Sequence, residues 1–494
     1  MLRRYPARLA AILLLSGALA PGGEAPSLTP ATPWPHGAAP SAAELDRLLD
    51  DAKTIEERER FEEFLAASEI NEDSDHLPIT QEDVDAKVYD KKILFQFGDE
   101  FFSHQFTHAN GYGDASFKTF KRVHSGVRGG LDTFSCAGCH SLGGPDGAGS
   151  PTQNSMIQGD GDHAGSALVR NAPALLGLGM VQALGAEMSH ELQFERQTAL
   201  DQAKSSGKAV TLDLTTKGIS FGTLVVQPDA SVDYSDLQGV DFDLVIKPFG
   251  RKGTISRLRR FVEDAARLHF GEQSHILALG YQKKPDVPHL GPGPNWYDPD
   301  NDGRQRELEE GILTTVASYL AMLEVPVVLP PADPGMRDRW ASGSALFDSV
   351  GCSGCHVRQI PLLYTLWHET SDTTAGEVVL NLFADGDQPR GTNLVEVFSD
   401  FKRHDLGPGL ADPHDEEHHL PRSVFITRPL WGLAETPPYL HDGRAATIPA
   451  AILAHGGEAQ GPRDAFAALS PDDQADLHVF LLSLTREPKV RVGR

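Results

Sequence analysis

The four cysteines of this 494-residue chain fall into two identical spacings. Cys136-Ala-Gly-Cys139-His140 lies in the first third and Cys352-Ser-Gly-Cys355-His356 in the last, with no cysteine left over. C-x-x-C-H is the attachment signature of a c-type haem. Two thiols three residues apart reach the two vinyl groups of one porphyrin, and the adjacent histidine lies under the ring, where its nitrogen can bind iron. Other uses of paired thiols compete with this reading. The two pairs could join in a zinc site of four cysteines, or of two cysteines and two histidines. One could instead be a thioredoxin-like dithiol on a strand-to-helix turn. Neither explains a histidine directly after both pairs. A disulfide across two intervening residues is strained. The expectation is two covalent haems, one on Cys136 and Cys139 with axial His140, the other on Cys352 and Cys355 with axial His356.

The chain begins MLRRYPARLAAILLLSGALA. Arg3, Arg4 and Arg8 form a positive end, and residues 9–20 form an apolar stretch of signal-peptide length closing on small residues. A retained anchor is the competing reading, but the stretch is short for a bilayer, and the Pro/Gly/Ala/Ser-rich run to Pro40 reads as a linker. Export to the periplasm or its equivalent is expected, which suits haem attachment outside the cytoplasm. No later segment reaches transmembrane length without charge, so no integral membrane contact is expected. With 69 acidic residues against 44 Lys and Arg, the net charge is -25. That excludes nucleic-acid binding by phosphate neutralisation.

The remaining pattern predicts a mainly α protein: duplicated c-type cytochrome domains with long loops and a few short β-strands. Residues 1–20 read as signal peptide, 21–40 as linker and 41–90 as an N-terminal helical arm. Residues 91–325 form the first haem domain, with an insertion at about 200–250. Residues 326–335 form a proline-rich linker, 336–486 the second haem domain and 487–494 a tail. Within the insertion, 220–226 and 240–246 alternate like strands. Residues 255–270 and 307–323 have helical periodicity. A last helix over 471–484 starts after Ser470, a natural N-cap.

Longer stretches carry a resemblance. FFSHQFTHANGYGD (101–114), FSCAGCHSLGGPDGAG (134–149), RNAPALLGLGMVQAL (170–184), FKRHDLGPGLAD (401–412), RPLWGLAETPPYLHDGRAATIPAAILAHGGEA (428–459) and LHVFLLSL (477–484) resemble the bacterial di-haem oxidoreductases. These are also described as predicted thiol oxidoreductases or di-haem peroxidases. They are relatives of the di-haem cytochrome c peroxidases, the tryptophan-tryptophylquinone maturation enzyme and the rubber oxygenases. The resemblance implies that His455, fourteen residues after the HDG histidine His441, stands where peroxidase relatives place a methionine ligand, pairing with His356 at the second haem. By the residues alone, His455 before two glycines is a helix end. The resemblance also puts His404, His441 and Arg444 near the second haem, with Arg444 facing a propionate and His404 serving as ligand, propionate contact or packing.

By the same analogy the first haem is the reactive centre, with an acid/base group over its distal face. Glu263 is one candidate, in the helix after FGRKG (249–253) with Arg257 and Arg260, although an amphipathic helix more often exposes such a residue. His104, His108 and His124 are rivals. Separately, Asp298, Asp300, Asp302 and Glu309 around Gly303 match the D-x-[DN]-x-[DN]-G-x5-E loop, a possible Ca2+ site. The competing reading is an acidic turn capping a helix.

Three functions follow as expectations. The first is a peroxidase-like oxidoreductase, with peroxide or another small oxidant as substrate and a small redox protein, a cytochrome or copper protein, as electron donor or acceptor. The second is an oxygenase or oxidase of an organic substrate. The third is a non-catalytic electron-transfer cytochrome with both irons closed.

Overall fold

The computed structural model describes residues 79–107, 111–112, 123–124, 127–128, 133–157, 166–274, 276, 307–383, 394–413 and 420–486. The expected signal peptide, its linker, most of the N-terminal arm, His108, the three aspartates of the Ca2+ loop and the tail lie outside them. Among the described residues no helix is long and apolar enough to cross a membrane.

The described helices of seven residues or more are α1 (Lys91–Ser103), α2 (Leu178–Ser206), α3 (Leu258–His269), α4 (Glu310–Met322), α5 (Pro334–Ser349), α6 (Ile448–Ala454), α7 (Gln460–Ala467) and α8 (Pro471–Leu482). Helix makes up 39% and strand 17%, the strands lying in small sheets. The fold is therefore a mixed one in which helix leads, rather than the mainly α fold expected.

The core forms around α4, whose residues from Glu310 to Ala321 are all buried. A helix buried on every side needs close neighbours. Gly98 in α1 provides one approach, since a Cβ there would lie 2.3 Å from Tyr319 Cβ. Ile93, Phe101 and Phe102 of α1, Leu184 and Met188 of α2 and Leu258 and Val262 of α3 complete this core. Residues 360–401 join it through Trp367, Leu380 and Val397. A second core lies among α5, α6, α7 and α8, with Phe347, Ile448, Phe466, Leu477 and Phe480. Ser470 caps α8 as expected, accepting from Asp473 N. The expected linker contributes strand Val327–Val328, which pairs antiparallel with Leu484–Thr485 near the end of the described chain.

The insertion is a three-stranded meander of β1 (Val210–Thr216), β2 (Ile219–Val226) and β3 (Val232–Asp233). Lys217 and Gly218 turn the first hairpin with φ of 51° and 79°, the left-handed pair that matches strand twist. Residues 240–246 are not a strand. Asp243 Oδ1 accepts from Val245 N at 2.9 Å, and Lys247 Nζ reaches Asp241 at 2.6 Å. Local side-chain bonds to the backbone displace the ladder here.

Hairpin β4 (Leu366–Thr370) and β5 (Glu377–Asn381) turns alternate side chains inward. One of them is Glu369, fully buried against α3. Arg259, also fully buried, reaches Glu369 at 3.3 Å, Asp372 at 3.2 Å and Thr314 at 2.8 Å, and it pairs with Glu310 as well. Strands β6 (Arg403–Asp405) and β7 (Val424–Ile426) pair antiparallel beside the second motif.

Candidate functional site

Each C-x-x-C-H motif is wound into a single turn. His140 N bonds Cys136 O at 3.1 Å and His356 N bonds Cys352 O at 3.0 Å. That turn puts both thiols of each motif on one side. Ser135 caps the first turn, accepting from Gly138 N at 3.1 Å. None of the four cysteines is in a disulfide. Among the described residues they do not assemble as a four-ligand metal set, so the zinc reading falls away.

One continuous cavity of about 650 Å³ is lined by Cys136, Cys139, His140, Cys352, Cys355 and His356 together. His140 Nδ1 donates to Pro173 O at 2.9 Å, and His356 Nδ1 donates to Phe398 O at 3.0 Å. A carbonyl can only accept, so each ring carries its proton on Nδ1 and keeps Nε2 as a ligand atom. Burial lowers both imidazoles to about 4, so both are neutral at physiological pH.

The cavity residues come from distant segments held together by their backbones. Asn171 N bonds His441 O at 2.9 Å, and Asn154 Nδ2 bonds Asp442 O at 3.1 Å. Trp431 lines the cavity, its indole N–H bonded to Glu396 O at 2.7 Å. Its ring lies against Gly177, whose φ is 66° and whose Cβ, if present, would be 2.3 Å from Trp431 Cζ3.

His455 ends α6, and it also faces the cavity. Its Nδ1 donates to Ala451 O at 2.8 Å, and it is close enough to His356 to act on that ring's proton affinity. It is thus a helix end whose ring also reaches the cavity near His356. His404 also lines the cavity, but neither nitrogen is available to iron. Nε2 meets Asp400 at 2.9 Å and Nδ1 meets Glu458 at 2.7 Å. Burial alone would lower this imidazole, but Asp400, Cys355 and Glu458 outweigh it and push it up to about 11. His404 is an imidazolium, not an axial ligand.

His441 stacks on Phe425 at 4.3 Å between centroids and approaches Asp412 at 3.5 Å. Arg251 and Lys252 of the FGRKG segment hold the same carboxylate at 3.0 and 3.3 Å. Burial works against this charge, yet His441, Arg251 and Lys252 keep Asp412 at about 2. Because the folded value is depressed, the stabilisation is present above the unfolded value and is lost as pH falls through about 2. Asp412→Asn is expected to cost about 2 kcal/mol at neutral pH. In urea unfolding, the gap from the unmodified protein should narrow between pH 4 and pH 2.

Arg444 does not face the cavity. It bonds Asp442 at 2.5 Å and Gly409 O at 2.8 Å. Arg428 lines the cavity instead, and burial lowers its guanidinium to about 10. Among the described residues no carboxylate answers it, so a propionate fits there. The Nε2 ligand atoms, the paired thiols, the cavity and Arg428 together fit two haems.

The distal candidates disperse. Glu263 is buried, not solvated, and it is paired with Arg260 and Ser274 outside the cavity lining. Arg257 is committed to Glu369 and Asp372. His104 ends α1 with its ring 5.2 Å from Phe106 and does not line the cavity. His124 lies in the two-residue strand Val123–His124. Glu309 is the N-cap of α4.

Two residues that sequence reasoning passed over come forward. His269, the last residue of α3, lines the cavity and acts on His140. Glu272 follows it, fully buried, with no hydrogen-bond partner for either oxygen among the described residues. Burial pushes it well above the usual carboxylate range, and it is close enough to Cys136 to act on that thiol. The side chain of Gln273 beside it is likewise unpartnered. FGEQS (270–274) carries no motif, so only burial could reveal these residues.

Residues 302–484 match the family described as "Di-haem oxidoreductase, putative peroxidase". No curated protein matches the chain. One similar solved structure is a MauG-like protein associated with microbial copper homeostasis, at 13% identity over 62% of this chain and 90% of that one, with TM-score 0.27. Another is Kuenenia stuttgartiensis hydrazine synthase, at 16% identity over 58% and 88%, with TM-score 0.26. Neither superposition is close enough to define the fold. Two C-x-x-C-H turns on one cavity are arranged as a pair of haem sites would be. The stretch that matches, residues 302–484, belongs to the same family that the motifs resemble in sequence.

Proposed function

We propose that the protein is an exported di-haem c-type oxidoreductase of the peroxidase kind. In this reading a small redox protein delivers electrons to the C-terminal haem, which passes them to the N-terminal haem. The observation that carries it is the single cavity shared by both C-x-x-C-H turns. Porphyrins held at both turns of one cavity would be near enough to each other for internal electron transfer.

Haem bound at the first motif supplies the electrons and the coordination position for peroxide. The chain's own residues do the rest. His140, oriented by Pro173 O, would hold the iron through Nε2. Glu272, which burial holds well above the usual carboxylate range and which lies close enough to Cys136 to act on it, is the proposed proton donor to the departing oxygen, although it stands behind the cavity lining rather than in it. Peroxide takes two electrons and two protons and leaves as two waters.

His269 favours a second reading. If it closes the first iron opposite His140, both centres carry two histidines and the protein is an electron carrier. Optical and EPR spectra of the oxidised holoprotein separate the two. A high-spin signal, or a new band on adding peroxide, supports the enzyme, and low-spin signals indifferent to peroxide in the oxidised and half-reduced states overturn it. Cys352→Ser with Cys355→Ser is expected to halve the haem per chain and to abolish peroxide turnover driven by a reduced cytochrome. Pyridine haemochrome content and steady-state assay check this.

A further inference from the structure

The second motif has a charged neighbour with no part in ligation. His404 comes from strand β6 and is nearly buried, with 11% of its side chain exposed. Asp400, four residues earlier, is buried and accepts from Lys402 N through its other oxygen. Glu458 reaches in from the turn after α6, and its second oxygen accepts from Asp405 N at 2.9 Å. Both carboxylates are thus fixed by backbone donors, and the ring is fixed by both carboxylates. Cys355 Sγ, a His404 nitrogen and an Asp400 oxygen lie within 4.8 Å of one another. A rigid imidazolium therefore stands at the thiol through which the second porphyrin would be tethered.

We infer that His404, clamped by Asp400 and Glu458 beside Cys355, holds up the reduction potential of the second haem. This deepens the proposed function and rests on its placing a haem at Cys352 and Cys355. Oxidised haem carries one more positive charge than reduced haem. A fixed cation beside the tethering thiol, in a poorly hydrated interior, would disfavour the oxidised form and raise the potential. The two carboxylates act oppositely. Glu458 is the more exposed of them, with 56% of its side chain open to solvent, against 3% for Asp400. Two imidazoles on iron favour a low potential, and the His404 cation offsets part of that. It keeps the second haem a better acceptor for the donor protein than its ligands alone would make it. His404 is thus an electrostatic tuning residue that never touches the iron.

The test is a spectroelectrochemical titration of the full-length holoprotein, read at each haem. His404→Gln removes the cation and leaves Asp400 charged, so the second-haem potential should shift downward. Glu458→Gln removes an anion, so it should shift upward by a smaller amount. The first-haem potential and the low-spin spectrum of the second haem should be unmoved in both, which a merely structural role would not produce. If His404→Gln fails to load its second haem, Glu458→Gln, on an exposed side chain, decides alone. An unchanged second-haem potential, or an equal shift at both haems, overturns the inference. Haem content is measured alongside: an unmodified protein without haem on Cys352 and Cys355 overturns the functional reading as well.

Discussion

Glu272→Gln in the holoprotein is expected to lower peroxide turnover about a hundredfold, the lower end of what a positioned acid/base group contributes. The amide keeps the shape of the side chain but has no proton to give. Glu272 is fully buried with no hydrogen-bond partner among the described residues, so the substitution removes no bond seen among them. Haem content, absorption spectrum and unfolding midpoint should stay as they are, and kcat should fall more than KM rises. Glu263→Gln is the contrast. That carboxylate is bound to Arg260 and Ser274, so its loss should weaken the fold and leave turnover within about threefold, well short of a lost acid/base group. Equal losses in the two variants would remove Glu272 from the proton-transfer role.

Arg259→Ala is expected to cost about 3–5 kcal/mol of stability, the range for breaking a buried ion pair on one side. Arg259 is completely buried, and its loss strands Glu310 and Glu369, both also buried. Burial already raises Glu369 to about 7, with Arg257 and Arg259 opposing it. An acid whose folded value is raised loses stability as pH rises from its unfolded value through its folded one. The variant should therefore be more damaged at pH 8 than at pH 5.5, where Glu369 can take up a proton. Denaturant midpoints at the two pH values measure this, and a pH-independent loss would show that packing dominates over charge.

Motifs were legible where a short run of residues contains its own chemistry. Both C-x-x-C-H turns, the Ser470 cap and the helices over 258–269 and 310–322 follow from local spacing. Errors came where a residue's role depends on what distant segments bring to it. Glu263 and Glu272 stand on the same stretch of chain; Arg260, one turn before Glu263, answers the first, but only the packing of distant segments leaves Glu272 buried with no partner among the described residues. Arg444 is held by Asp442 two residues before it, which leaves Arg428 to face the cavity. Residues 240–246 alternate like a strand, yet their aspartates bind the backbone and Lys247 instead.

By itself the sequence determined the two attachment turns, their histidines and the family they resemble, because thiol spacing and an adjacent imidazole are properties of five consecutive residues. Only the tertiary structure decided which other side chains meet them. The shared cavity, the neutral Nε2 atoms, the clamped His404 and the unpartnered Glu272 each arise from contacts between segments far apart in the chain. Burial and opposing charge, which set their protonation, exist only once those segments have packed.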